Sequence, residues 1–372
     1  MRSGRYDPVE LDALKARRTL SDLFFELGFP SKGSAKERFC SCPFHLEKTP
    51  SCKINDGRMA YYCHGCGESG DHYSLLMFAT GCTFIEAVER LGGVRPVSAE
   101  ERSELANRRQ QIAAEEERER QEQRSWIERA WARFDPIEGT PAADYLAGRG
   151  IPASPNWTFD LRFAKALGYK GFESEGAHAV TLLGEFPAMV AAIRDGARQL
   201  IGLHRTYFNL KAPEKLVPPG DVRRNRSKKI LGEARGGLIW LSEPGATVVV
   251  GEGIETTRSW PLLERFSERQ DALAAAVSLG NMSGRCTGSI PHPDNIKKRI
   301  PNGMPDLDEP WIIWPESVRE ITWLMDGDSD QAMTRQRILC ALRRTAHLGI
   351  QGFVSAAPSG SDWNDVRRQE AA

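Results

Sequence analysis

Cys42-Pro43-Phe44-His45 is followed, after seventeen intervening residues, by Cys63-His64-Gly65-Cys66. Each short pair places two metal-binding side chains on one tight turn. A hairpin-length insert returns the chain so that the pairs face each other, which is what tetrahedral zinc needs. Thiolates and imidazole suit the borderline softness of that ion. Cys42, His45, Cys63 and Cys66 close the coordination shell and leave no open position. The site therefore reads as structural, one Zn2+ contributing folding energy to a small domain with few apolar residues. Cys40 lies a small register shift from Cys42 and stays open as a substitute ligand. Cys52 and His64 read as packing or surface residues.

The rest of the chain supports a metal rather than disulfides. Five of the eight cysteines lie between Cys40 and Cys66, and such clustering points to a bound ion. Cys82, Cys286 and Cys340 stand alone and read as small buried side chains. No run approaches the roughly 18 consecutive apolar residues of a membrane-spanning helix, and the first ten residues lack the apolar stretch of a signal peptide. The expectation is a cytosolic protein with no membrane partner. Its 372 residues suffice for two or three compact domains. The 50 basic and 50 acidic side chains cancel, which leaves room for a basic groove beside an acidic metal site.

Cys42-Pro43-Phe44-His45-Leu46-Glu47-Lys48-Thr49-Pro50-Ser51, Tyr62-Cys63-His64-Gly65-Cys66-Gly67 and Gly70-Asp71 together resemble the zinc-binding domain of DnaG-type bacterial and phage primases. Thr83-Phe84-Ile85-Glu86-Ala87-Val88 continues the resemblance, which covers nearly all of residues 8 to 93. Cys52 and His64 depart from it, since the family commonly carries aromatic residues there. The resemblance implies a module that engages single-stranded template. A zinc-braced ribbon would offer Tyr61 and Tyr62 for stacking, with Lys48, Lys53 and Arg58 for phosphates.

Beyond the cysteines the chain divides into consecutive segments. Residues 1–95 hold the zinc motif between two helical patterns, 11–27 and 73–91. Residues 96–130 are dominated by Glu, Arg, Gln and Ala, with acid and base at helical intervals, and read as a solvated helical spacer. Residues 131–236 turn globular, with strands expected at 189–194 and 200–205. Residues 237–372 alternate short apolar strands, at 238–241, 247–251, 274–279, 321–325 and 352–356, with helices at 254–265 and 331–348. That alternation argues for an α/β domain with a largely parallel sheet. The whole reads as an α+β multidomain chain.

Two strands of the last segment end in acids. Val248-Val249-Val250-Gly251 runs into Glu252-Gly253, and Ile321-Thr322-Trp323-Leu324-Met325 runs into Asp326-Gly327-Asp328-Ser329-Asp330. Ligand chemistry in open α/β sheets gathers at the carboxyl ends of strands. Three carboxylates at alternate positions repel unless cations neutralise them, and hard oxygen ligands suit Mg2+ or Mn2+. The glycine and closing glutamate of a calcium-binding EF-hand loop are misplaced here. The order strand, Glu, helix, strand, Asp-x-Asp, helix resembles the Toprim domain of primases, topoisomerases and some nucleases, over about residues 237 to 369. Glu252-Gly253-Ile254-Glu255-Thr256 is similar to the glutamate motif of phage and plasmid primases, and Asp362-Trp363-Asn364-Asp365 to a closing motif of that class. The resemblance implies Asp326 and Asp328 as metal ligands, Glu252 as metal ligand or proton-transfer group, and Asp330 as a third ligand. Asp362 and Asp365 are weaker metal or nucleotide candidates, and Glu255 reads as an acid favouring a helix N-terminus. Residues 284–316 depart from the pattern as an insertion.

Residues 204–235 carry nine Lys or Arg against three acids, the surface that single strands and triphosphates demand. Lys211, Lys215, Arg223, Arg224 and Arg226 belong to it, and Arg205, Lys228 and Lys229 are the candidates for template or nucleotide phosphate. Residues 188–190 and 202–206 resemble the core segment upstream of Toprim in mobile-element primases. The combined resemblance implies template-directed synthesis of short RNA primers on single-stranded DNA from nucleoside triphosphates, in a bacterial or phage-infected cell. A Toprim nuclease and a non-catalytic zinc-dependent single-stranded-DNA-binding protein are the alternatives. No Gly-x-x-x-x-Gly-Lys-Ser/Thr loop is present to hold ATP phosphates. The expected partner is therefore a separate helicase, and the expected variety is a phage, plasmid or other mobile-element primase.

Overall fold

The computed structural model describes residues 6–34, 37–45, 47, 50–66, 68–94, 98–153, 160–171, 173, 181–210, 214–216 and 227–371. The chain forms two compact units, Met1–Glu122 with Gly288–Pro301, and Gln123–Thr287 with Asn302–Ala372. The boundaries differ from the consecutive segments read along the sequence, because a stretch from inside the insertion groups with the first unit.

In the first unit, α1 (Pro8–Ala16) starts with Asp7 accepting from the Val9 amide at 2.8 Å and with proline at its first position, where the missing N–H has no intrahelical partner anyway. Thr19 caps a separate α2 (Leu20–Glu26), so the single helical pattern expected over 11–27 is two helices. An antiparallel sheet follows in the order β1 (Lys32–Ser34), β2 (Glu37–Cys40), β3 (Cys52–Asn55), β4 (Ala60–Cys63) and β5 (Ser69–Gly70). The second expected pattern, 73–91, is also split. Asp71 opens α3 (His72–Thr80) with a capping box. Gly81 ends it at φ 73°, a left-handed conformation that glycine adopts without Cβ strain. A Thr83–Glu86 capping box then opens α4 (Phe84–Arg90). Leu14, Leu20, Phe24, Phe44, Ile54 and Leu75 form the centre of one apolar core.

The 33-residue α5 (Ala99–Trp131) buries only Ile127 among its side chains, as a polar helix must. Its N-terminal part runs along the zinc unit through ion pairs. Arg58 reaches Glu116 at 3.2 Å and Glu119 at 2.7 Å, Arg102 pairs with Asp7, and Arg109 with Asp12. Solvent screens surface pairs of this kind, so each contributes little.

The second unit begins with β6 (Asp135–Pro136), α6 (Pro141–Gly148), β7 (Leu161–Gly171), β8 (Thr181–Arg194), β9 (Leu200–Tyr207) and β10 (Lys228–Gly232). These strands make an antiparallel sheet in the order β10-β9-β8-β7-β6. Next come β11 (Ile239–Trp240), β12 (Thr247–Gly251), α7 (Ile254–Ser259), β13 (Ala272–Ala275) and α8 (Leu279–Ser283). After the β14 (Ser289–His292) and β15 (Asn295–Pro301) hairpin, the chain continues through β16 (Glu320–Met325), α9 (Gln331–His347), β17 (Gln351–Ala356) and α10 (Trp363–Glu370). The second sheet has the order β11-β13-β12-β16-β17. β13, β12, β16 and β17 are mutually parallel and only the edge strand β11 is antiparallel.

Two expectations are shortened. The strand expected over 274–279 ends at Ala275, because Val277 turns left-handed at φ 70° and Ser278 caps α8. The helix expected over 254–265 ends at Ser259, and short 3-10 turns follow. Pro261 lacks the N–H that would continue the helical ladder. Val249, Ile254, Leu273 and Leu324 join Met189, Ala191 and Phe208 in one core between the two sheets.

Candidate functional site

The ribbon turns bring Cys42, His45, Cys63 and Cys66 together, with one ligand atom from each within 4.8 Å of the others. The Phe44 amide donates to Cys42 Sγ at 3.4 Å, and the Gly65 and Cys66 amides donate to Cys63 Sγ at 3.3 and 3.5 Å. Gly65 is required there, because a Cβ would lie 2.5 Å from His45 Nε2 and 2.7 Å from Ser51 Oγ. Hydrogen bonding with Cys42 and Cys66 pulls the Cys63 thiol strongly down, whereas burial pushes Cys42 up and bonding to Cys42 pushes Cys66 up. Three thiolates in so small a space need a cation among them. The closed Cys3His set therefore fits structural zinc.

Glu47 was missed by the sequence reading. His45 turns Nδ1 towards Cys63 Sγ, 3.7 Å away, and Nε2 towards Glu47 Oε2, 3.2 Å away. The other Glu47 oxygen accepts from the Cys42 and Ser51 amides at 2.8 and 2.9 Å. A carboxylate in this place fixes the ring orientation and raises ligand basicity. Its signal was its position two residues after the histidine in the motif.

The leftover residues separate. Cys40 faces Cys52 across β2 and β3, and both are buried, so Cys40 packs rather than replacing Cys42. His64 lies edge-on to the half-buried Tyr62, ring centroids 5.0 Å apart. Tyr61 is 4% exposed and stacks on Phe44; the core takes it, so it is not a stacking platform for bases. Lys53 pairs with Glu37 at 2.7 Å, and Arg58 with the two glutamates of α5. Lys48 lies outside the described residues, as do Lys211, Arg223, Arg224 and Arg226.

In the second unit, parallel pairing of β12 with β16 sets Glu252 and Asp326 at neighbouring strand ends. Asp326 is pushed up to about 7, first by burial and then by Glu252, Asp362 and Asp328. Glu252 is raised by burial and by Asp328, while Lys228 and the Leu279 amide act the other way. Asp326 Oδ1 is buried without a hydrogen-bond partner among the described residues. Asp362 is brought in by main-chain contact. Gly327 N donates to Ser361 O at 2.9 Å, and Gly360 N donates to Gly327 O at 2.8 Å. A Cβ on Gly327 would lie 2.0 Å from Pro358 O, so the Asp-Gly-Asp spacing carries its glycine for close approach. Asp328 is exposed. Asp330 is exposed as well and caps α9, accepting from Met333 N at 2.9 Å. Asp365 completes the capping box of α10 with Asp362.

Glu255 is placed differently from a simple N-terminal acid. It is buried, and it accepts from Tyr145 Oη at 2.9 Å and from Lys228 Nζ at 2.9 Å, with Lys215 Nζ 3.5 Å away. Burial works to raise its pKa, but the two lysines outweigh it and hold the carboxyl well below its usual range. His204 beside them is pushed down to about 3, by burial first and then by Lys228. It is therefore neutral.

The three basic candidates fall on two faces. Lys229 stands opposite Arg205, and Lys228 opposite Thr206. Side chains alternate along a strand, so Lys228 points with His204 towards the acids while Arg205 and Lys229 take the other face. There Lys229 Nζ lies 3.9 Å from the Tyr169 ring centroid, and Arg205 donates to Tyr207 Oη at 3.2 Å.

Residues 7–106 match the family described as the CHC2 zinc finger, and residues 121–241 match one described as a domain of unknown function. The first unit is thus similar to a CHC2 zinc finger. The chain's relatives are bacterial DNA primases. It is 34% identical to the DNA primase of Myxococcus xanthus over 36% of this chain and 21% of the relative. For Salmonella typhimurium the figures are 29%, 44% and 28%, and for Escherichia coli K12 they are 36%, 25% and 16%. The chain therefore spans less than a third of the curated relatives it matches. Among solved structures, the zinc-binding and RNA polymerase domains of Aquifex aeolicus primase align over 97% of this chain and 82% of that one, at 16% identity and a TM-score of 0.37. A DnaG primase catalytic domain bound to single-stranded DNA aligns over 68% and 78%, at 14% identity and a TM-score of 0.40.

Proposed function

We propose that the chain is a DNA primase that makes short RNA primers on single-stranded DNA by metal-dependent nucleotidyl transfer. The observation that carries this reading is the convergence of Glu252, Asp326, Asp328 and Asp362, with Lys228 and Lys215 beside them on Glu255. The zinc module shared with bacterial DNA primases supports it.

Residues 237–372 are read as a Toprim-type catalytic domain, with residues 131–236 as the basic part of the same core. Like-charged carboxylates around a buried oxygen without a partner are the environment a divalent cation neutralises. Asp326 and Asp328 would hold Mg2+ or Mn2+, with Asp362 adjoining. A divalent cation held there would supply stabilisation of the charge that develops on the attacking and leaving oxygens of phosphoryl transfer. In the reaction a primer 3′ oxygen forms a bond to the α-phosphorus of a nucleoside triphosphate, and the bond from that phosphorus to pyrophosphate breaks. Burial raises the proton affinity of Glu252, which supports it as the group that would take the hydroxyl proton. Lys228 and Lys215 meet the triphosphate, and Glu255 with Tyr145 keeps the two ammonium groups from splaying apart. Arg205 and Lys229 serve template phosphate on the opposite face of the sheet, and Tyr62 serves the template at the zinc ribbon. The chain works with a separate helicase, and the Glu252-Gly253-Ile254-Glu255-Thr256 motif favours the mobile-element variety.

Primer synthesis on single-stranded DNA with labelled ribonucleotides and Mg2+ or Mn2+ tests the reading. Template-dependent short products are expected, falling about a hundredfold or more in Asp326→Ala and Asp328→Ala. Template cleavage instead of synthesis would identify a nuclease. Retained DNA binding with neither product would identify a non-catalytic binding protein. Affinity capture that never recovers a replicative helicase would remove the helicase from the reading.

A further inference from the structure

The β14–β15 hairpin has no part in the chemistry above, yet it groups with the zinc unit. Its ends are fastened by Thr287 N donating to Met304 O at 2.8 Å and by Arg343 donating to Gly303 O at 2.8 Å. Ile300 is 1% exposed, more burial than a two-stranded ribbon achieves by itself. Within the hairpin, Arg299 donates from Nε to Ser289 Oγ at 2.8 Å and from Nη2 to Ser289 O at 2.7 Å. Ser289 Oγ in turn donates to Phe78 O at 2.9 Å.

Phe78 lies in the last turn of α3, where carbonyls have no intrahelical donor. That turn carries no basic residue of its own, although a cation is favoured at a helix C-terminus. Arg90 of α4 donates to Thr80 Oγ1 at 2.9 Å, and the Arg299 guanidinium adds a second cation, approaching to 2.8 Å from the point where a Gly81 Cβ would stand. A bare glycine and a carbonyl with no donor in its own helix thus meet a hydroxyl and a guanidinium already bonded to each other on the second element.

We propose that the Ser289–Pro301 hairpin is a docking clasp whose partner is the C-terminal end of α3 in the zinc-binding module of the same chain. The clasp adds two covalent crossings between the units, after Thr287 and after Pro301, to the one within α5. It therefore commits a zinc module to its own chain. The inference does not depend on the primase reading.

Hydrogen exchange of the full-length, zinc-loaded chain tests it. In Arg299→Glu with Ser289→Ala, amides of residues 77–82 should exchange about tenfold faster, the combined size expected of one hydrogen bond and a helix-end charge. Zinc content and the protection of β3 and β4 should stay as in the native chain, which separates undocking from unfolding. Arg299→Lys alone, which keeps the charge but not the paired bonds, should give a smaller acceleration. Unchanged exchange of residues 77–82 in the double variant overturns the clasp. Protection of those residues that fades on dilution of the native chain overturns the same-chain form, because it means that the hairpin grips a second copy.

Discussion

The zinc-ligand cluster and the acid cluster both gather side chains of like charge, but the fold treats them oppositely. The four zinc ligands come from residues 42–66, and main-chain amides of Phe44, Gly65 and Cys66 already point at the sulfurs. The acids are spread from residue 252 to residue 362, and Asp326 keeps a buried oxygen with no donor. One arrangement is closed, with its four ligand atoms within 4.8 Å of one another. The other is braced from behind and left unsatisfied in front. The difference teaches how to tell a site that an ion builds from a site that the fold builds for an ion: the first should collapse without metal, and the second should stand without it.

The sharpest break of that comparison is Cys63→Ala. It should abolish zinc binding and the cooperative fold of the first unit, since structural zinc contributes about 10–16 kcal/mol of apparent binding energy in small modules. Metal analysis with circular dichroism reads this, and a folded, zinc-free variant would contradict it. Gly327→Ala comes next. A Cβ placed 2.0 Å from Pro358 O forces the two loops apart, at about 1–3 kcal/mol by analogy with other overpacking changes. Chemical denaturation should show the loss, and calorimetry should show weaker Mn2+ binding. Glu47→Gln keeps the shape but weakens the hold on His45, so zinc affinity should fall about tenfold to a hundredfold. Competition with a chromophoric chelator measures it, and equal affinity would make Glu47 a spectator.

The smallest effect concerns pH. Asp326 has an ordinary value of 3.8 and titrates at about 7 in the folded unit. A raised carboxyl binds its proton more tightly when folded, so its contribution is fully present below about pH 4 and is lost as pH rises through about 7. Without divalent cations the melting temperature of the second unit should therefore decline across that window. Asp326→Asn should flatten the decline, and Mg2+ should offset it in the native chain only. A parallel pH dependence in both proteins would show that another group is responsible.

Much of this was legible in residue order, because the relevant physics is local. Ligand spacing on tight turns brings the zinc set together, and apolar strands ending in acids mark β12 and β16. What was not legible depends on tertiary contact. Nothing local tells that Asp330 caps α9 while Asp362 faces Asp326, since that depends on which loop backs onto Gly327. Glu255 resembles an ordinary first-turn acid until Lys215, Lys228 and Tyr145 converge on it from distant elements. Tyr61 and Tyr62 are neighbours of one type, yet strand alternation sends Tyr61 into the core. The same alternation separates Lys228 from Arg205 and Lys229, which composition alone had grouped. Element ends differ from the periodicity where one residue overrides it, as Gly81 does for a helix in the first unit, and Val277 for a strand and Pro261 for a helix in the second.

The contact between Gly327 and residues 358–361 has a consequence for how such a chain can vary. Asp326 and Asp362 are held in register by peptide groups, Gly327 N to Ser361 O and Gly360 N to Gly327 O. Every residue type except proline offers those groups. Side chains along both loops are therefore open to drift without disturbing the spacing of the acids, and the tolerance ends at two positions, Gly327, where a side chain has no room, and Gly360, whose φ of 84° favours glycine. A lineage keeping this contact can rewrite its surroundings around two fixed glycines, so likeness between distant members would survive as a few isolated letters rather than as a continuous block.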